Sequence, residues 1–194
     1  DDQAEALEKD MNAYLTTTAS DYYPDTKRML FMTGFGGSGF KKVYHSPLKN
    51  RPVSESVDAK DLIVSNAAVD LGSASRVTHV IRMKKSDMVR MQILGVYRDT
   101  TLSDSAPSLN AVDQKLATVQ GVQPAQDRPE DQDHTLWECY CELNVKGYEH
   151  KDAKGRPTGL PMPYRVTIDK DSQSILEIRR NWDDTDEEFP SAKK

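Results

Sequence analysis

Three groups of residues have types and spacings that could do chemistry. The first is the string GFGGSG, where Gly34, Gly36 and Gly39 stand at the G-x-G-x-x-G spacing with Gly37 between them. Such glycines let backbone N–H groups approach a pyrophosphate, provided they follow a strand and open a helix whose N-terminus faces the anion. Here the residues before the glycines read as a helix and those after as a strand, so that order is reversed. The phosphate-loop pattern fails too: Phe40 stands where G-x-x-x-x-G-K needs Lys, and Lys41 comes one residue late. Gly34, Gly36, Gly37 and Gly39 are therefore expected to form a structural loop, a flexible or tightly packed joint. A nucleotide-binding or enzymatic module built on 34–39 is the alternative.

The second group is Cys139 and Cys141 with His134 and His150. Two cysteines in C-x-C could present two thiolates to zinc from one side of a strand, but zinc sites usually carry C-x-x-C or H-x-x-x-H knuckles, and neither exists here. The expectation is a pair of small thiols in a reducing compartment. The third group is Arg179, Arg180 and Trp182, with Arg165 on a facing strand. Arginine beside tryptophan can stack on bases or anchor a protein contact, and the three residues 179, 180 and 182 are the candidate subunit interface; a solvated strand edge is the plain alternative. His79 falls on an apolar strand face and reads as a core or interface histidine. No G-x-S-x-G or H-E-x-x-H string occurs, and the carboxylate run at 183–188 reads as solvated. No catalytic, cofactor-binding or metal-binding residue is assigned, and the chain is expected not to be an enzyme.

Composition bounds the partners. The 194 residues carry 26 Lys+Arg against 31 Asp+Glu, a net charge of -5. Tight grip on nucleic acid depends on clustered cations and is disfavoured. With 29% charged residues and a mean hydropathy of -0.71, no run approaches a transmembrane length. The opening DDQAEALEKD is acidic, unlike a signal peptide, and without an initiator Met the chain reads as an excised segment.

The elements follow from periodicity. Ala4, Leu7, Met11 and Leu15 predict an amphipathic helix over 3–15, and Pro24 and Asp25 announce a second one that Gly34 closes. Strands are predicted over 40–46 and 53–57, joined as a hairpin, with a short apolar run at 61–65 and a helical turn at 70–75. RVTHVIRM (76–83) alternates as a strand with Val77, His79, Ile81 and Met83 on one face. Ser86 and Asp87 start a helix over 88–95, with Met88, Met91 and Leu94 sharing a face and Gly95 ending it. Residues 99–134 are a polar insertion or linker with one possible helix capped by Ser108. A strand over 136–145, a Gly/Pro-rich excursion over 146–163 and a hairpin over 163–182 complete the pattern. In that hairpin Val166, Ile168, Leu176 and Ile178 are expected on one face around KDSQ. The fold class is α+β, amphipathic helices packed on antiparallel strands and hairpins, one segment over 1–182 with a polar tail at 183–194.

Several strings carry a family resemblance: the Gly loop running into FKKVY (36–44), RPVSESVDAKDLIVS (51–65), RVTHVIRM (76–83), GVYRD (95–99) and PYRVTIDKDSQSILEIRRNW (163–182). Together they resemble the portal protein of short-tailed, podovirus-like bacteriophages and prophages. The resemblance implies a structural subunit segment, the outer wing of a usually dodecameric ring at one capsid vertex, through which DNA is packaged and ejected. Identical subunits would be its neighbours. Terminase, which hydrolyses ATP, and the scaffold, capsid and tail adaptor proteins would dock on the full-length chain, with DNA passing without sequence-specific binding. Localisation would be the virion, and the bacterial host cytoplasm during assembly or as a prophage product. The charge fits, because a conduit with few cations does not hold a sliding polyanion. Exposed edges suit a subunit completed by copies of itself in a closed heterologous ring.

Overall fold

Apolar residues at helical spacing in DQAEALEKDMNA give a helix from Asp2 to Ala13 (α1) in the computed structural model, which describes residues 2–102, 133–152 and 154–182, with 115, 118, 119 and 121. The helices and antiparallel sheets form an α+β fold. Where the sequence reading keeps 1–182 as one segment, the backbone groups into two compact units, Asp1–Leu62 and Ile63–Lys194. The polar tail 183–194 and most of the 99–134 insertion, with its expected helix, lie outside the described residues.

In the first unit, α1 ends short of Leu15 because a run of threonines follows. Thr16 Oγ1 donates to the Asn12 carbonyl at 2.6 Å, and Tyr14–Thr18 widens into a π-turn. The second helix, α2 (Tyr22–Gly36), corrects two expectations. Asp25 lies inside it instead of capping it, and its Oδ1 accepts from Ser56 N at 3.0 Å and Ser56 Oγ at 2.7 Å. Pro24 falls in the first turn, where its missing N–H costs nothing. Gly34 is helical, and the left-handed residue that stops α2 is Gly37, with φ 78 and its N–H on the Thr33 carbonyl. A hairpin follows, β1 (Phe40–Ser46) and β2 (Arg51–Val57), paired from Phe40↔Val57 to Ser46↔Arg51. Asn50 turns the chain with φ 47, a conformation that asparagine tolerates.

The second unit is built on a five-stranded sheet in the order β3-β4-β5-β6-β7, with β3 Leu62–Val64, β4 Arg76–Lys84, β5 Asp133–Leu143, β6 Met162–Asp169 and β7 Ile175–Arg180. The pairs β4-β5, β5-β6 and β6-β7 are antiparallel. The expected helical turn at 70–75 is a turn closed by Asp70, whose Oδ1 accepts from Ser73 N at 2.6 Å. A third helix, α3 (Lys85–Ile93), starts ahead of the Ser86/Asp87 signal, and Asp87 instead pairs with Arg90 at 3.0 Å.

Each sheet face holds its own apolar cluster. Met88, Met91, Tyr97, Leu136 and Leu176 form one, with Ile81 and Met83 packed against it. Leu94 does not join Met88 and Met91 as expected; it is exposed. The helix has already ended and the chain reverses at Gly95, bringing Tyr97 inward with its N–H on the Met91 carbonyl at 3.1 Å. The second cluster is Met162, Tyr164 and Val166, with Cys141, Leu143, Val145, Ile168 and Trp182 against it. Leu176 is again a correction. A bulge between Thr167 and Ile168 puts two β7 residues against one step of β6, so Leu176 joins the α3 cluster while Val166 and Ile168 belong to the other.

Candidate functional site

The 34–39 joint is a packed corner. It leaves the C-terminal end of α2 and enters β1, so carbonyls rather than N–H groups point into it, and a phosphate finds no helix N-terminus here. A Cβ on Gly39 would lie 2.1 Å from Thr33 Oγ1 and 3.2 Å from Met29 Cγ, so glycine is needed for close approach of the loop to α2. The Cβ positions of Gly34, Gly36 and Gly37 meet nothing within 4 Å. A small apolar cavity of about 70 Å³ beside the joint is lined by Met29, Met32, Phe40 and Val57.

The four potential zinc ligands are not brought together. Cys139 and Cys141 alternate on β5 and share a face, where Cys139 Sγ accepts from Thr78 Oγ1 at 3.4 Å. Burial, with Cys139 beside it, pushes the Cys141 thiol up and keeps it protonated. His134 falls on the other face of the strand by alternation and is 1% exposed. His150 is in the 144–161 loop, its Nδ1 2.7 Å from Thr158 Oγ1. Among the described residues no group of three metal-ligating side chains gathers, and no helix is long and apolar enough to cross a membrane. His79 sits opposite Glu138 in the β4-β5 pairing.

The arginine cluster divides between the two faces of the sheet. Arg165 and Arg179 are cross-strand partners, and both reach Glu177, at 3.0 Å and 2.8 Å. Glu177 is buried, as is Glu138, which accepts from the Tyr140 hydroxyl. Burial pulls the Arg165 guanidinium down, but Glu177 and Glu138 outweigh it and hold the charge more firmly than usual. The Tyr97 and Tyr140 phenols are pushed far up by burial and by these carboxylates, so they remain hydroxyl donors. The result is a closed ionic layer in which each carboxylate has a donor, suited to fixing sheet register. Sequence reading took Arg165 as part of a basic patch and missed Glu138 and Glu177. The available signal was the cross-strand offset of Glu177 from Arg165.

Arg180 and Trp182 lie on the opposite face. The Arg180 guanidinium stands 5.7 Å over the Trp182 ring, and Trp182 meets Tyr164 edge to face at 5.2 Å. These three line an open groove of about 1200 Å³, whose other wall is the 146–161 excursion with Tyr148, His150 and Leu160. That excursion is ordered by Asp152. Its Oδ1 accepts from the N–H groups of Lys154 and Arg156, and its Oδ2 takes the Arg156 guanidinium at 2.9 and 3.0 Å. Those contacts hold its carboxyl below the usual carboxylate range. An Asp three residues before a Gly was the sequence signal for this turn. A groove walled by Tyr148, Tyr164 and Trp182 with one arginine has the makeup of a protein-contact surface. The chain matches no family model and no curated protein.

Proposed function

We propose that this chain is a wall segment of a phage portal ring, a structural element that sits beside copies of itself. The observation that carries the reading is the first unit's helices, α1 and α2, which bury none of their residues. Leu7, Met11, Tyr23, Leu30, Phe31 and Phe35 are all exposed. A monomeric protein seldom leaves such a stripe uncovered, whereas a subunit completed by its neighbours does so as a rule. The resemblance of 36–65, 76–83, 95–99 and 163–182 supports the same reading, as does the net negative charge of a wall past which DNA must slide. Arg180 and Trp182 beside the open groove are the contact candidates in the second unit; Arg179 lies on the other face of the sheet, paired with Glu177.

The test is negative-stain microscopy of the full-length gene product that contains these residues. Closed rings are expected, and a product that stays monomeric at every concentration overturns the reading. Nothing in the geometry of the 34–39 joint favours the nucleotide-binding alternative. Millimolar ATP, GTP or NAD is expected to leave the melting temperature unchanged, and a ligand-dependent rise would revive it.

A further inference from the structure

We propose that α1 is an assembly arm whose apolar stripe docks on the outward face of α2 in a neighbouring copy of the chain. The inference rests on the reading that copies of this chain associate, and it names the two surfaces that meet.

The acceptor is an inside-out helix. One face of α2 is fastened to the β1-β2 hairpin by charge: Asp21 to Lys49 and Arg51, Asp25 to Ser56, and Arg28 to Asp58. Positions 21, 25 and 28 recur at helical spacing, so they define that face. The opposite face carries Tyr23 and Leu30, exposed to 73% and 62%, with Phe31 on its flank at 73% and Phe35, at 84%, nearer the Arg28 side. Gly34 lies within this stripe with nothing within 4 Å of its Cβ position, leaving room for another backbone to approach closely.

The arm is equally unaccompanied. Every residue of α1 is exposed, including Leu7 at 61% and Met11 at 55%, which share a stripe with Ala4. A free helix of this length is marginal in water, so α1 needs a partner surface. At about 18 Å it matches the roughly 22 Å of α2. Its own α2 is not that partner. The π-turn after α1 is fixed by Tyr14 Oη donating to the Pro52 carbonyl at 3.0 Å and by buried Ala19, and in this arrangement the α1 residues stay uncovered.

Charge selects the pairing. Asp2, Glu5, Glu8 and Asp10 surround α1 against Lys9 alone, and Lys9 is tied to Glu5 at 2.8 Å. Asp21 and Asp25 are turned to the hairpin, so the outward face of α2 carries no acid and keeps Lys27, exposed between Tyr23 and Leu30. An α1-on-α2 contact therefore sets Glu8, beside Leu7, against a cation. Two α2 faces together would oppose lysine to lysine, and two α1 helices acid to acid. Each copy offers one arm and one acceptor, a heterologous contact that propagates head to tail.

The test uses the 194-residue chain in sedimentation velocity. Arm variant Leu7→Glu/Met11→Glu and acceptor variant Leu30→Glu/Phe31→Glu change only exposed side chains of the first unit, so unfolding of the Ile63–Lys194 unit, read by Trp137 and Trp182 fluorescence, should match the parent. The parent is expected to form concentration-dependent oligomers, and each variant alone to associate about a hundredfold more weakly. An equimolar mixture should give a heterodimer, because the acceptor of the arm variant is intact and so is the arm of the acceptor variant. A monomeric parent overturns the proposal, as does an arm variant that associates like the parent or a mixture that stays monomeric. In the full-length gene product, rings built by the arm variant remove the arm but leave the portal reading. Heterodimer rescue in a product that forms no rings removes the portal reading but leaves the arm.

Discussion

The two units solve the problem of staying folded in opposite ways. The Ile63–Lys194 unit sandwiches its sheet between two apolar clusters and closes a carboxylate–arginine layer between strands, so it has a buried core of its own even though side chains such as Val69, Ile93 and Tyr148 stay exposed. In the Asp1–Leu62 unit only Ala19, Ser46 and Val53 are buried among the described residues. Its helix and hairpin are joined by ion pairs that water can reach, while Tyr23, Phe31 and Phe35 face out. Burial scales with the free energy a fold can draw on, and half-exposed ion pairs contribute little. The contrast therefore separates a self-sufficient body from one whose apolar surface is left for something else to cover.

The largest effect expected within one chain belongs to the self-sufficient body. Leu136 is 0% exposed at the centre of the α3 cluster, and Leu136→Ala should cost about 3 kcal/mol through lost burial and a residual cavity. Urea unfolding followed by Trp fluorescence measures it, since Trp137 is the next residue on β5 and Trp182 packs on the other face. The matching substitution at Phe31, Phe31→Ala, should leave the monomer's midpoint within about 0.5 kcal/mol, as for any exposed site. A Phe31 cost near that of Leu136 would break the comparison.

How far this contrast could be read beforehand depends on what each residue needed to see. Alternation in RVTHVIRM gave a strand and the short polar KDSQ between two apolar runs gave a hairpin, because the period of two and a tight turn are local properties. The displaced stop of α2 at Gly37 was less accessible, since three glycines within four positions were each able to serve. Asp25 looked like a cap because local hydrogen bonding is all a sequence displays, whereas its partner Ser56 lies 31 residues away. Leu176 was placed on the wrong face by a bulge, which shifts register without altering the alternating pattern that signals a strand. In the candidate site, Arg180 and Trp182 were legible as a local pair. Arg179 was not separable from them until the strand placed adjacent residues on opposite faces, and Tyr148 and Tyr164 needed the return of the 146–161 loop.

A second, intermediate effect sharpens the electrostatic half of the contrast. Glu177 is buried between Arg165, whose side chain is 22% exposed, and Arg179, at 52%. Glu177→Ala should destabilise by about 2 kcal/mol, because it strands the Arg165 charge in a half-dry layer. A double-mutant cycle divides the cost: the Arg165–Glu177 coupling should exceed the Arg179–Glu177 coupling, which solvent screens to below about 1 kcal/mol. Equal couplings would mean that the layer is wetter than its burial implies.

The smallest effect is expected where ion pairs stand in for a core. Lys49 and Arg51 hold the Asp21 carboxyl down to about 2, from an ordinary value near 3.8. A carboxylate depressed in the folded state adds stability that is complete above its unfolded value and disappears as the pH falls through its folded one, so the window runs from about 4 down to about 2. With Asp21 and Lys49 both 44% exposed, solvent screening limits the contribution to about 1 kcal/mol or less. Asp21→Asn should flatten that segment of the stability-versus-pH curve, and added salt should shrink the difference between parent and variant. Glu177, shielded within the sheet, should respond to salt far less. If the acid-side slope survives Asp21→Asn, the Asp21 pairs with Lys49 and Arg51 are not what ties the stability of the first unit to pH.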